Sequence, residues 1–127
     1  MKKKIIVFTG SRADYGLLSP LIKKINYKKQ LSLILVAGGN HFSKKYGKTI
    51  KEIVNDKIKI NYSYKFAAKS TSQKEILKYM GKSLSHYNNF LEKAKPDLAV
   101  VLGDRYEAYS FSLSAFLSNI KICHIHG

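Results

Sequence analysis

A chain of 127 residues, 45% of them apolar, is one domain, long enough to bury a core and short for an enzyme built from two lobes. Its one cysteine, Cys123, excludes an internal disulfide and points to a reducing compartment, and no segment approaches the roughly 18 apolar residues of a membrane span. The formal charge of +15 raises nucleic acid or an anionic membrane as partner, yet 21 of the 23 basic residues are lysines scattered from Lys2 to Lys121, with no arginine–aromatic block, zinc-finger spacing or ribonucleoprotein signature. That pattern reads as a solvated surface, and neither partner is expected.

The start, Met1 to Lys4 followed by Ile5 to Phe8, is too short an apolar run for a secretory signal and reads as the first strand, Lys4 to Thr9, of a cytoplasmic protein. The turn Gly10-Ser11-Arg12-Ala13-Asp14 follows, then a helix from about Tyr15 to Ile25 with Leu17, Leu18, Leu21, Ile22 and Ile25 on one face. Pro20 is tolerated there if the helix proper begins near Ser19. The turn lacks the Gly-x-Gly-x-x-Gly of a dinucleotide site and the Gly-Lys-Ser/Thr of a P-loop. It offers a short glycine turn and a helix N-terminus that, with Arg12, could hold a phosphate.

Leu31 to Ala37 is a second buried strand, ending in Gly38-Gly39-Asn40-His41, and His41 on its own reads as a loop histidine. A helix over Lys44 to Val54, broken by Gly47, precedes an alternating edge strand from Lys57 to Tyr64. Phe66 to Ser72 is a loop. Ser72 to Lys95 is the longest helical pattern, with Ile76, Leu77, Met80, Leu84, Tyr87, Phe90 and Leu91 at helical spacing, His86 on it as a surface or packing residue, and a capping box from Ser72 to Glu75.

Pro96-Asp97 stops that helix and begins the central strand, Leu98 to Leu102. Five consecutive apolar residues suit a strand buried on both faces of a parallel sheet. Gly103, Asp104 and Arg105 lie just beyond its carboxyl end, where ligands of open α/β sheets collect. Two readings of Asp104 stand: an N-cap of the next helix, or a group that takes part in chemistry. A helix to about Leu117 and a fifth strand from Ile120 to Ile125 complete the chain. Period two puts His124 and His126 on one side of that strand, but no cysteine or carboxylate of suitable spacing joins them, and no metal is expected.

The alternation predicts an α/β fold, a doubly wound, Rossmann-like parallel sheet joined by right-handed crossovers. An order of 3-2-1-4-5 would set the first turn beside the fourth, with Arg12, Asp104 and Arg105 around one crevice. The only two arginines, Arg12 and Arg105, each follow a glycine that ends a strand. Their planar fork of donors suits phosphate, so both turns point to an anion.

Four motifs, in order, resemble those of one family: Thr9 to Gly16; Gly39-Asn40-His41-Phe42 with Tyr46 to Thr49, Glu52 and Ile53; Gly103 to Glu107; and His124-Ile-His126-Gly127. The chain is similar from end to end to the hydrolysing UDP-N-acetylglucosamine 2-epimerases of sialic and legionaminic acid synthesis. The resemblance implies the N-terminal lobe of a GT-B enzyme, with a nucleotide sugar held between two Rossmann-like lobes. It implies elimination of UDP to a 2-acetamidoglucal and addition of water to give N-acetylmannosamine, without a cofactor. By the same resemblance Asp104 is the acid/base group. Arg12, Arg105, Gly10, His41 and His126 belong to the substrate site, the role of His126 being positional.

The family motif continues beyond Gly127 into a glutamate, and the family has a second lobe. This chain, residues 1–127, is therefore expected to be an incomplete first lobe, inactive or nearly so alone and a homo-oligomer when full length. Within it Glu107 is the only other acid near Asp104. The sugar stays open among UDP-N-acetylglucosamine, a UDP-diacetamido sugar and a GDP-linked one. The alternative is a non-catalytic nucleotide-binding or interaction module left by truncation.

Overall fold

The computed structural model describes residues 2–43 and 49–127. Five parallel strands form its centre: β1 (Lys3–Thr9), β2 (Leu31–Ala37), β3 (Tyr62–Ser63), β4 (Leu98–Leu102) and β5 (Lys121–Ile125). Their order is β3-β2-β1-β4-β5, as the alternation predicts. Val7 sits in the middle of the sheet, in register with Leu35 on one side and Val100 on the other. Helices α1 (Arg12–Tyr27), α2 (Ile50–Asn55), α3 (Gln73–Ala94) and α4 (Tyr106–Leu117) cover the faces. None of the described helices is long and apolar enough to cross a membrane.

Both faces of the sheet are buried at β1, β2 and β4, which explains their continuous apolar runs, while the edge strand β5 is largely exposed. Alternate residues separate into two layers. Ile5, Val7, Leu35, Val100 and Leu102 pack against Leu18, Ile22 and Ile25 of α1 and Ile53 of α2. Ile6, Phe8, Ile34, Val36, Ala99 and Val101 pack against α3 and α4. The second layer is aromatic: Phe8 stacks on Phe111 at 5.0 Å and meets the edge of Tyr87 at 5.9 Å. Burying each such ring contributes roughly 2–3 kcal/mol before entropy is counted.

Several boundaries differ from the sequence pattern, each for a local reason. Helix α1 begins at Arg12, not near Ser19, because Ser11 is its N-cap and accepts the Asp14 N–H at 3.1 Å. Pro20 therefore lies inside the helix. Pro20 cannot donate to the Gly16 carbonyl four residues earlier, and both residues are exposed, so that carbonyl is open to solvent. The strand expected over Lys57 to Tyr64 shrinks to two residues. Lys57 turns left-handed, and the Asn61 side chain accepts the Leu35 N–H at 2.8 Å in place of a ladder bond.

The helix expected over Lys44 to Val54 falls partly outside the described residues, and its described part is α2. In α3 the Ser72 cap is present, its Oγ accepting the Glu75 N–H at 3.3 Å. The buried face, however, is Tyr79, Ser83, Tyr87 and Leu91, while Leu77 is 59% exposed. Small residues explain the rotation. Ser83 hydrogen-bonds Ser110, and Ser114 donates to the Leu84 carbonyl, so α3 and α4 approach closely with their hydroxyls satisfied. The helix ends at Lys95, left-handed at φ 48°, just before Pro96.

Candidate functional site

The carboxyl ends of β1 and β4 lie side by side, and the turns that leave them run to opposite faces of the sheet. Between them is a cleft of about 370 Å³ lined by Ser11, Arg12, Ala13, Asn40, Thr49 and Arg105. Arg12 is the first residue of α1 and Arg105 the N-cap of α4, so each guanidinium sits at a helix start. The helix dipoles add to their charge, and a glutamate paired with each guanidinium partly offsets it.

The two arginines are anchored differently. Arg12 Nε donates to Glu52 Oε1 at 2.6 Å, with both side chains substantially exposed, at 73% and 41%. Arg105 Nε and Nη2 donate to Glu107 Oε2 and Oε1 at 3.1 Å each, and Glu107 is 2% exposed against 48% for the arginine. The Glu107 bond and charge, with a smaller contribution from Asp14, hold the guanidinium above its ordinary pKa. Asp14 itself is raised, chiefly by burial, although it accepts the Gly10 N–H at 3.2 Å and Arg105 pulls the other way.

Other predicted residues fall in different places. Gly10 is buried under the turn, where its carbonyl accepts the Asn40 N–H at 2.8 Å and a Cβ would meet the Phe8 ring at 3.1 Å. His41, expected at the substrate, does not line the cleft. It is 1% exposed, with Nε2 against Thr9 Oγ1 and Nδ1 against Thr49 Oγ1, both at 2.8 Å. Burial lowers its pKa to about 4, so the ring is neutral and gives one donor and one acceptor to the two hydroxyls. Through Thr49 it supports the cleft wall from behind.

Asp104 does not cap α4, since no side chain does. It is exposed and lines a neighbouring groove of about 320 Å³ with Gly103, Ala108, Tyr109, Ser112, Ile122 and His124. The expected single crevice is thus two adjoining depressions, with Arg105 and Asp104 on either side of their boundary. His126 lies beyond the end of β5 with φ 56°, so period two no longer relates it to His124, which donates from Nε2 to the Gly103 carbonyl.

Asn40, Thr49 and the burial of Glu107 escape a reading of sequence. Ser11 with Asp14 three residues on is a helix-start pattern that sequence does display.

A doubly wound sheet with an arginine in each of the two turns at its switch point defines the class: an α/β protein with a cleft outside the carboxyl ends of its central strands. A sequence profile of the UDP-N-acetylglucosamine 2-epimerase family matches residues 23–127, and the chain belongs to that family. It is 36% identical over 125 residues to polysialic acid biosynthesis protein P7 of Escherichia coli, covering 98% of this chain and 32% of that protein. Against the UDP-N,N'-diacetylbacillosamine 2-epimerase (hydrolyzing) of Legionella pneumophila it is 32% identical, covering 100% of this chain and 34% of that one. The crystal structure of UDP-GlcNAc 2-epimerase from Neisseria meningitidis, bound to UDP-GlcNAc, superposes with a TM-score of 0.81 at 21% identity, over 96% of this chain and 32% of that one. The chain thus spans about a third of the length of the relatives it matches.

Proposed function

We propose that this chain supplies the phosphate-binding wall of a hydrolysing 2-epimerase acting on a UDP-linked 2-acetamido sugar. The observation that carries the reading is the meeting of the chain's only two arginines on one cleft at the switch point of the sheet. A diphosphate leaving group gains charge as its bond to the sugar breaks. Cations already in place stabilise that change more than they stabilise the bound substrate.

In this reading a base removes the proton at C2 while the C1–O bond breaks, and UDP leaves with the electron pair. Water then adds across the C1=C2 bond of the glucal, its oxygen going to C1 and a proton to C2, to give N-acetylmannosamine. Arg12 and Arg105 hold the diphosphate. Asp104, exposed beside Arg105, is the proton-transfer group. Gly10 allows the turn its close packing, and His41 and His126 act by position.

A second lobe closes the cleft in this reading, the full protein works in the cytoplasm as a homo-oligomer, and the chain alone turns over little or nothing. UDP-N-acetylglucosamine is the first substrate to test.

The test is UDP release from UDP-N-acetylglucosamine by the intact protein. Asp104→Asn is expected to lose about 10²–10⁴-fold in kcat, and Arg12→Ala to weaken the leaving-group step. Full activity in both variants would sink these roles. Because the chain spans about a third of its relatives, a non-catalytic nucleotide binder is the second reading. UDP binding by an intact protein that never releases UDP from the sugar nucleotide would favour it.

A further inference from the structure

Turns after three different strands meet at one carboxylate. Glu107 is the second residue of α4, and its buried side chain lies against Gly39 in the turn that follows β2, with the Gly10 carbonyl of the turn after β1 also beside Gly39. The slot it fills depends on Gly39, whose φ is +58°. A Cβ there would lie 2.8 Å from Glu107 Cγ and 2.8 Å from the Gly10 carbonyl, so a glycine leaves the room that the glutamate occupies.

A buried carboxylate is retained at a cost in desolvation, and an apolar residue of similar volume would pack there without it. What Glu107 provides is two parallel bonds to one guanidinium, from Nε and Nη2 of Arg105 at 3.1 Å each. A guanidinium is planar, so two fixed N–H groups fix the plane and the direction of the remaining three donors. Arg105 lines the cleft while so held. Arg12 has no such anchor: its partner Glu52 is itself exposed.

We propose that Glu107 is a positioning residue whose buried carboxylate holds the Arg105 guanidinium ready for the diphosphate of the nucleotide, and that Gly39 is glycine to admit it. This rests on the reading of the cleft as a nucleotide site. A guanidinium already immobilised loses less freedom when the ligand arrives, so removing the anchor weakens binding without removing a ligand contact.

The test uses the 127-residue chain and UDP as probe. With only two arginines, the side-chain NMR spectrum holds two Nε–H signals, told apart by Arg12→Lys. The Arg105 signal is expected to exchange slowly with water in the wild type and fast in Glu107→Gln, with the backbone spectrum otherwise preserved. UDP affinity is expected to fall roughly tenfold in Glu107→Gln. In an Arg105→Lys background the same substitution is expected to change nothing further.

An equal loss in that background would assign Glu107 a merely structural role and overturn the proposal, as would wild-type affinity in Glu107→Gln. If the 127-residue chain alone binds no UDP, the affinity comparison is made in the intact protein, where a second lobe closes the cleft, and absence of UDP binding there is what overturns the nucleotide reading. The exchange comparison then decides the orientation of Arg105, and an unchanged signal overturns it. Should Glu107→Gln not fold, Glu107→Asp, which withdraws the charge by one methylene, carries the same comparisons.

Discussion

The turn after β1 and the turn after β4 have the same outline: a glycine ends an inner strand, and an arginine two residues on stands at the start of a helix. They are built in opposite ways. The first spends its side-chain bonds on the backbone, with Ser11 capping α1 and Asp14 holding the Gly10 N–H, and leaves Arg12 to an exposed glutamate. The fourth has no side-chain cap and uses its acid, Glu107, on Arg105. One turn fixes its loop and leaves its arginine loose; the other fixes its arginine. On the reading proposed above, the rigid cation seats the diphosphate at one end and the adaptable one follows it as it departs at the other.

The largest expected effect breaks the fourth turn. Arg105→Ala leaves the buried Glu107 carboxylate without its half-exposed cation and is expected to destabilise the chain by about 3 kcal/mol in urea unfolding at pH 7; a loss near zero would mean that the pair contributes nothing. Next is acidification, which acts on the first turn through His41 and Thr9. With the folded pKa lowered to about 4, the unfolded chain binds a proton that the folded chain refuses once the pH falls below the ordinary value near 6.5. The stabilisation is complete above that pH and is lost on the way down to about 4, with about 2 kcal/mol gone by pH 5. Urea melts of wild type and His41→Gln at pH 7 and 5 check it, the variant losing this part of the slope.

Ser11→Ala removes the α1 cap and is expected to cost about 1 kcal/mol, measurable as a shift in the urea midpoint. Arg12→Ala is the smallest, within about 0.5 kcal/mol, because an exposed pair is screened and mobile. A cost for Arg12→Ala as large as that for Arg105→Ala would erase the distinction between the turns.

Much of this arrangement is legible in the sequence, and the reason is local. Apolar runs of five to seven residues, each ended by a glycine or a polar turn, specify parallel strands, and the observed order β3-β2-β1-β4-β5 follows from winding out from β1 in both directions. Once β1 and β4 are neighbours, Arg12 and Arg105 must be close.

What sequence does not display is the support from distant chain. His41 reads as a loop histidine after two glycines. Its burial depends on Thr9, 32 residues earlier, and Thr49, 8 residues later. Glu107 reads as the only other acid near Asp104, and neither its burial nor the slot beside Gly39 is displayed. On α3 the expected Tyr87 and Leu91 are buried and Leu77 is not, because two serines, Ser83 and Ser110, let the helices close in a place that a count of large apolar residues would leave to solvent.

The slot around Glu107 also has a consequence in time. Its walls come from chain positions as far apart as Gly10, Gly39 and Glu107 itself, so it cannot exist until β1, β2 and β4 have all docked. Contacts of such long sequence separation form late, after the loop-closure entropy between them has been overcome. The charged pair is then among the last features a refolding chain acquires. Any partly folded form that has its helices and its aromatic layer but lacks this closure carries Arg105 unset. Competence to bind the anion would in that case report completion of the fold, and slow exchange at the Arg105 Nε–H would appear in refolding only with the final phase.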